Sequence, residues 1–289
     1  MSDELHGDAG TELDHEGCPA IIDGSGQIRK LGAILVPGLR SSFPVFEDKF
    51  PRMTDDEIKA YIVNGRPKSG RHEFDSSWIA DQGQFGSCNG WASAKALERA
   101  RVRKGLPRVR LSGSSVYAMV NGGRDNGSIP EEAMTAMQSR GAVPESISSV
   151  NEIYERNYSA ADWAEAKKYL AGECYATHDR QAYLTGLAMG FDGVIALQAG
   201  NNFMRLDSDG IAGHDSGPGN HANCNDDILL IGDKIVIDDA NSWNKSYGTQ
   251  GRAYITWESH LAQPSKSFAF FLIRTASDSP DGTNPPVVS

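Results

Sequence analysis

The apolar positions of this chain follow a helical period in its first half and a strand-like pattern in its second. From Cys88 to about Lys104 the stripe Trp91, Ala94, Leu97 and Val102 predicts an amphipathic helix, with Ser87 placed to cap it and Gly105 to end it. A second helix is predicted to start at Pro130, whose fixed φ suits a first turn, with Glu131 and Glu132 complementing the dipole and Gly141 as the stop. Ser159 and Asp162 have the spacing of a capping box for a third, running through Trp163 to Leu170. The segment TDDEIKAYIV has Thr54 as its cap. After Phe191 come short β-branched runs, GVIALQ, ILLIG, KIVIDD and RAYITW. Gly232-Asp233, between ILLIG and KIVIDD, predicts a hairpin with a two-residue turn. Helices followed by antiparallel strands give an α+β class.

Both ends lack this periodicity. Residues 1 to about 30 are acidic and Gly-rich, the composition of a mobile arm, and TASDSPDGTNPPVVS at the other end reads as a disordered tail. The expected organisation is an N-terminal extension over 1–65, a catalytic domain over 66–275 with a helical lobe at about 75–190 and a β lobe at about 191–275, and a tail over 276–289. The extension is expected to cover the site or to dock the chain in a larger assembly.

Charge narrows the partners. With 28 Lys and Arg against 38 Asp and Glu the net charge is -10, so binding to nucleic acid or an anionic membrane by bulk electrostatics is not expected. The four cysteines, Cys18, Cys88, Cys174 and Cys224, have no metal-site or disulfide-framework spacing, which suggests a reducing compartment, and no cofactor or metal is expected. The start MSDELHGDAG lacks the features of a secretory signal, and no apolar run reaches the roughly 18 residues that span a bilayer. A cytoplasmic or virion-associated protein is the expectation. DSDG at 207–210 is read as a turn rather than a calcium loop, and Cys18 as an exposed thiol.

One stretch carries chemistry: DQGQFGSCNGWASAKALE, residues 81–98. A cysteine attacks a carbonyl only as thiolate, and it needs a base and donors for the oxyanion. At a helix N-terminus Cys88 has the dipole in its favour, and Gln82 lies where a loop can fold its amide toward the Cys88 N–H. Alone, a cysteine at a helix start is more often a small buried core side chain.

The stretch resembles the papain family of cysteine peptidases. Asp81, Gln82, Gly83, Gly86, Ser87 and Cys88 match the family's D-Q-G-x-x-G-S-C without a gap, and Leu97-Glu98 match the pair further along its helix. RLSGSSVYAM, NGSIPEEAMTAMQSRGAVPES, the segment from Gly193 to Ala222 and NSWNKSYGTQGRAYI are similar to the family's later blocks, in order. The resemblance implies a two-lobed fold, with a helical lobe, an antiparallel β-barrel-like lobe and an active-site cleft between them. It implies Cys88 as nucleophile, Gln82 as oxyanion donor, His221 as base, Asn241 as the residue orienting the imidazole, and Trp243 as the indole over that pair. Gly127, Ser128 and Asn220 fall where the family lines its substrate cleft, and the implied partner is a protein or peptide substrate. A papain-fold structural or binding protein, such as a phage virion component, and a cell-wall amidase or transpeptidase are the alternatives.

Departures from the pattern are Phe85 in place of a cysteine, Asn89 in place of an aromatic, Asn244 in place of a glycine and Tyr247 in place of a tryptophan. HANCNDD is polar where the family is apolar, so Asn223, Asn225 and Asp226 need partners if buried. An ideal hairpin at Gly232-Asp233 also sets His221 opposite Asn244, with Asn241 on the wrong face. A bulge, a longer turn, or an Asn241 beyond the ladder is required.

Overall fold

The computed structural model describes residues 12–13, 18–23, 25–36, 41–64, 75–261, 270–274 and 276–277. Within the segment expected to be a mobile arm, three short strands, β1 (Glu12–Leu13), β2 (Pro19–Ile22) and β3 (Ile28–Lys30), form an antiparallel sheet of their own. Burial of Ile21 and Leu31 in the core holds it to the rest of the protein. Cys18, expected exposed, is buried, and its thiol lies 3.7 Å from the Leu31 carbonyl oxygen. His6 and His15 lie outside the described residues.

The capping signals place the helices. Helix α1 (Asp55–Val63) starts from a Thr54–Glu57 capping box, as its sequence predicts. Helix α2 (Cys88–Arg103) has Ser87 at its N-cap position, but the Ser87 side chain makes no capping bond. Helix α3 (Gly113–Val120), which the sequence pattern did not single out, is capped by Ser112. Helices α4 (Pro130–Ser139) and α5 (Ala160–Ala166) begin where Pro130 and the Ser159–Asp162 box predict. The latter stops short of Leu170, which belongs to β4 (Leu170–Ala171). Strand β5 (Cys174–Ala176) and helix α6 (Arg180–Ala188), capped by Asp179, follow.

Strands β6 (Asp192–Leu197), β7 (His221–Ile231), β8 (Lys234–Ala240), β9 (Arg252–Ile255) and β10 (Phe270–Ile273) join β5 in an antiparallel sheet of order β5-β10-β6-β7-β8-β9. This sheet is open rather than a closed barrel. Its edges carry single bridges, Val45 to Ala176 and Ile211 to Tyr254. The sheet draws β5 and α6 into the β lobe, before its expected start at about 191. Part of the expected tail is also ordered, since β11 (Ala276–Ser277) pairs with β4. Asp207 accepts the N–H groups of Asp209 and Ile211, so DSDG is a turn closed on itself.

The sheet is a shared wall between two cores. Ala222 and Cys224 of β7 pack with Cys88, Ala92 and Leu97 of α2. On the other side Tyr183 of α6 reaches into the strand and donates to Asn225 Oδ1 at 2.7 Å. The three residues that needed partners find them: Asn223 and Asn225 donate to the two oxygens of Asp239 at 2.7 and 2.8 Å, and Asp226 pairs with Arg252 at 2.5 Å and Arg99 at 3.1 Å. Burial pushes the Asp239 carboxyl up to about 8 against these bonds.

Asp226 also answers the register problem. Cys224 pairs with Ala240 and Asn225 with Asp239, but the next pairing is Asp227 with Asp238, so Asp226 is the extra residue of a β-bulge. The predicted Gly232-Asp233 turn is present, closing Ile231 against Lys234. Beyond the bulge every side chain changes partner by one place, which moves Asn241 to the face of His221. The carboxylate between Arg99 and Arg252 anchors this irregularity. Asp226→Ala leaves two buried guanidinium groups facing each other and is expected to lower unfolding free energy by about 3–5 kcal/mol, measured by denaturant titration.

Candidate active site

Helix α2 presents Cys88 at its first turn, and the loop before it folds Gln82 back toward the same point. Gln82 is held at both ends: its N–H donates to the Ser242 carbonyl at 2.8 Å, and its side-chain oxygen accepts from the Ser242 hydroxyl at 2.6 Å. The Gln82 amide nitrogen donates one N–H to the Phe85 carbonyl of its own loop at 2.7 Å and has a second for the cleft. The Cys88 sulfur is fully buried and faces the backbone N–H groups of Ala222, Gly32 and Asn89. Ala222 directly follows His221, so the helix and β7 meet at this point.

Past the end of β8, Asn241 turns its side-chain oxygen to His221 Nε2 at 2.9 Å. The same oxygen accepts the Ser242 N–H at 2.7 Å, which identifies it as the carbonyl end of the amide. His221 Nε2 is therefore the protonated nitrogen, and Nδ1 carries the lone pair. That Nδ1 is buried and has no hydrogen-bond partner. Trp243 stacks on it with ring centroids 4.4 Å apart, sealing the His221–Asn241 bond from water.

The substituted positions each fit. Asn244 adopts φ 57, a left-handed conformation that asparagine tolerates better than most residues, so it replaces a glycine at modest strain. Tyr247 sets its ring edge-on to Trp243 at 5.5 Å. Asn89 donates to the Ser128 carbonyl at 2.5 Å and ties helix α2 to the wall formed by Gly127 and Ser128. None of the four cysteines is in a disulfide, and among the described residues no cluster of His, Cys, Asp or Glu is arranged to hold a metal.

The cleft is occupied by the chain itself. Residues 30–35 lie along the wall formed by Gly127 and Ser128: Ser128 N–H donates to the Gly32 carbonyl at 2.8 Å and Ile34 N–H to the Ser128 carbonyl at 2.9 Å. On the opposite wall Ala33 N–H donates to the Asn220 carbonyl at 2.9 Å. The pairing with Ser128 is parallel. Gln82 Nε2 donates to the Lys30 carbonyl oxygen at 3.1 Å. Two cations pin the strand. Arg29 pairs with Asp23 at 2.7 Å and Asp81 at 2.6 Å, and Lys30 pairs with Asp125 at 2.7 Å. Neither the strand nor Asp125 was singled out in the sequence, and only Arg29 and Lys30, two adjacent cations beside an acidic arm, hinted at them.

Burial pushes the Cys88 thiol up to about 11 and the His221 imidazole down to about 4, so both are neutral in this state. An uncovered ring regains water and binds protons near its ordinary value of about 6.5. Protons then bind the uncovered form more tightly, so the covered form is expected to lose stability as pH falls below about 6.5. Asp23 acts in the same direction: burial raises its pKa, but bonds from Ser25, Arg29 and Gln27 together hold it below the ordinary carboxylate value, so acid weakens its pairing with Arg29. Amide exchange in residues 28–35 is expected to lose protection at pH 4.5 relative to pH 7.5 beyond the intrinsic rate change. Equal protection at the two pH values contradicts the linkage.

No sequence-family model matches the chain, and no curated protein matches it either. Solved structures do. The cysteine protease xylellain from Xylella fastidiosa superposes with a TM-score of 0.64 over 86% of this chain and 97% of its own, at 17% identity. Procathepsin B S9 from Trypanosoma congolense gives 0.59 over 85% and 87%, at 18% identity. Procathepsin L 3 from Tenebrio molitor gives 0.53 over 76% and 79%, at 16% identity. The two-layered arrangement around α2 and β7 is the fold of the papain-like cysteine proteases.

Proposed function

We propose that this chain is a cysteine peptidase of the papain type whose own N-terminal segment keeps it latent. The observation that carries the reading is the state of His221: Nε2 is fixed by Asn241 and covered by Trp243, while the lone pair of Nδ1 is left for a proton from a thiol at the end of α2. In the uncovered site the Cys88 thiol gives its proton to Nδ1, and the sulfur adds to a peptide carbonyl. The oxyanion rests on the Gln82 amide and the Cys88 N–H. Collapse of the adduct expels the amine, which takes the proton from His221, and leaves a thioester. Water, deprotonated by the same imidazole, hydrolyses the thioester and returns the thiol. Protein or peptide is the substrate.

Residues 28–35 act as a plug that is not cut. Gly32 offers its N–H, not its carbonyl carbon, to the sulfur. Two of the structural neighbours are themselves proenzymes, which fits a covered state. The test is product mass spectrometry on a peptide mixture, using the full chain opened by Gly32→Val with and without Cys88→Ala. Peptide fragments only with Cys88 present support the reading. Products only from peptidoglycan fragments indicate a cell-wall amidase, and no turnover with an accessible sulfur indicates a binding protein.

A further inference from the structure

The geometry points to a subsite for a lysine or arginine side chain at the acyl position of the substrate, with the Asp125 carboxylate as its charge partner. This rests on the peptidase reading above. In any acyl transfer at this site the residue whose carbonyl oxygen sits on the Gln82 amide is the one that becomes the acyl group. The plug already puts a residue there: the Lys30 carbonyl is 3.1 Å from Gln82 Nε2, and its ammonium reaches Asp125 Oδ2 at 2.7 Å. A lysine side chain is long enough to bridge the oxyanion donor and Asp125, and an arginine is slightly longer.

Asp125 is built for this. Its Oδ1 accepts the Gly86 N–H at 2.9 Å and the Tyr117 hydroxyl at 3.0 Å, and that hydroxyl oxygen in turn accepts the Gly127 N–H at 3.0 Å. Gly86 lies just before the nucleophile and Gly127 on the cleft wall, so the carboxyl is locked between the two sides of the acyl position. Only Oδ2 faces the cleft, toward the Lys30 ammonium. The Asp125 side chain is 6% exposed with the plug in place. When Lys30 leaves, Oδ2 loses its cation in a largely enclosed site. A substrate cation restores the pairing, whereas an apolar side chain keeps water from the carboxylate and returns nothing. Arg29 does not compete, because its guanidinium is committed to Asp23, Asp81 and the Gly83 and Trp243 carbonyls.

The test uses the full chain carrying Gly32→Val and three peptidyl acyloxymethyl ketones, identical except for lysine, norleucine or glutamate at the acyl position. The rate of Cys88 labelling is read by intact-protein mass spectrometry. Lysine is expected to label about tenfold faster than norleucine or more, the scale of one charge-assisted hydrogen bond, with glutamate slowest. Asp125→Asn, which keeps acceptors for Gly86 and Tyr117, is expected to bring the lysine and norleucine rates together. Equal rates for lysine and norleucine, or a lysine preference that survives Asp125→Asn, overturn the subsite alone. If Asp125→Asn does not fold, the order of the three reagents on the unaltered site decides. Labelling by none of them overturns the peptidase reading and the subsite with it.

Discussion

Replacing Gly32 with valine is expected to make Cys88 react with iodoacetamide about 100-fold faster while leaving the fold intact. A side chain at residue 32 has no room: a Cβ there stands 1.8 Å from the Gly86 carbonyl oxygen and 2.4 Å from its carbon. Neither atom can give way, because Gly86 precedes α2 and its N–H is fixed to Asp125. The clash is with backbone, so a rotamer change does not relieve it, and overpacking of this kind costs roughly 3 kcal/mol. Transferred to the opening equilibrium, at about 1.4 kcal/mol per factor of ten, that gives the rate change. The helices and the six-stranded sheet do not depend on residue 32, so far-ultraviolet circular dichroism should be unchanged. A reaction rate equal to that of the unaltered chain means that something other than the plug buries the sulfur.

In that opened chain, Cys88→Ala and His221→Ala are each expected to remove peptide hydrolysis by a factor on the order of 10⁴ or more, since nucleophile and base act as one unit and losing either loses both. Gln82→Ala is expected to cost about 10²- to 10³-fold in kcat with little change in KM, because the amide serves the oxyanion rather than the bound peptide. Progress curves for a peptide cleaved by the opened chain measure all three. Residual hydrolysis in Cys88→Ala within tenfold of the parent places the nucleophile elsewhere. A Gln82→Ala effect confined to KM removes that residue from the oxyanion site.

The residues that the proposed chemistry uses were more legible in the sequence than the state in which they are held. Cys88 and Gln82 are near neighbours in the chain, and local capping fixes how a loop enters a helix, so the pattern around them says most of what the structure says. The Gly232-Asp233 turn was legible for the same reason. The bulge at Asp226 was not: the sequence required some irregularity to bring Asn241 to His221, but its position follows from a carboxylate wedged between Arg99 and Arg252. Residues 1–30 read as mobile because their local pattern is weak. The order of residues 18–23 and 25–30 comes from partners far along the chain, Arg29 with Asp81 and Lys30 with Asp125, and no local propensity encodes such pairs. Cys18 looked exposed for the same reason, and β3 and Leu31 bury it.

The sequence by itself determined the α+β class, the helix starts at Thr54, Pro130 and Ser159, the hairpin, and the four residue types that a thiol acyl transfer needs. Each of these depends on spacing within a few residues, where backbone geometry leaves few choices. Tertiary structure alone decided that the imidazole presents Nδ1 rather than Nε2, that the sheet of the described residues stays open, and which strand of the extension, expected from the sequence to cover the site, lies along Ser128 and Asn220. Those outcomes depend on groups brought together from distant parts of the chain, where the gain is the pairing of buried charges and backbone donors and no short pattern records it.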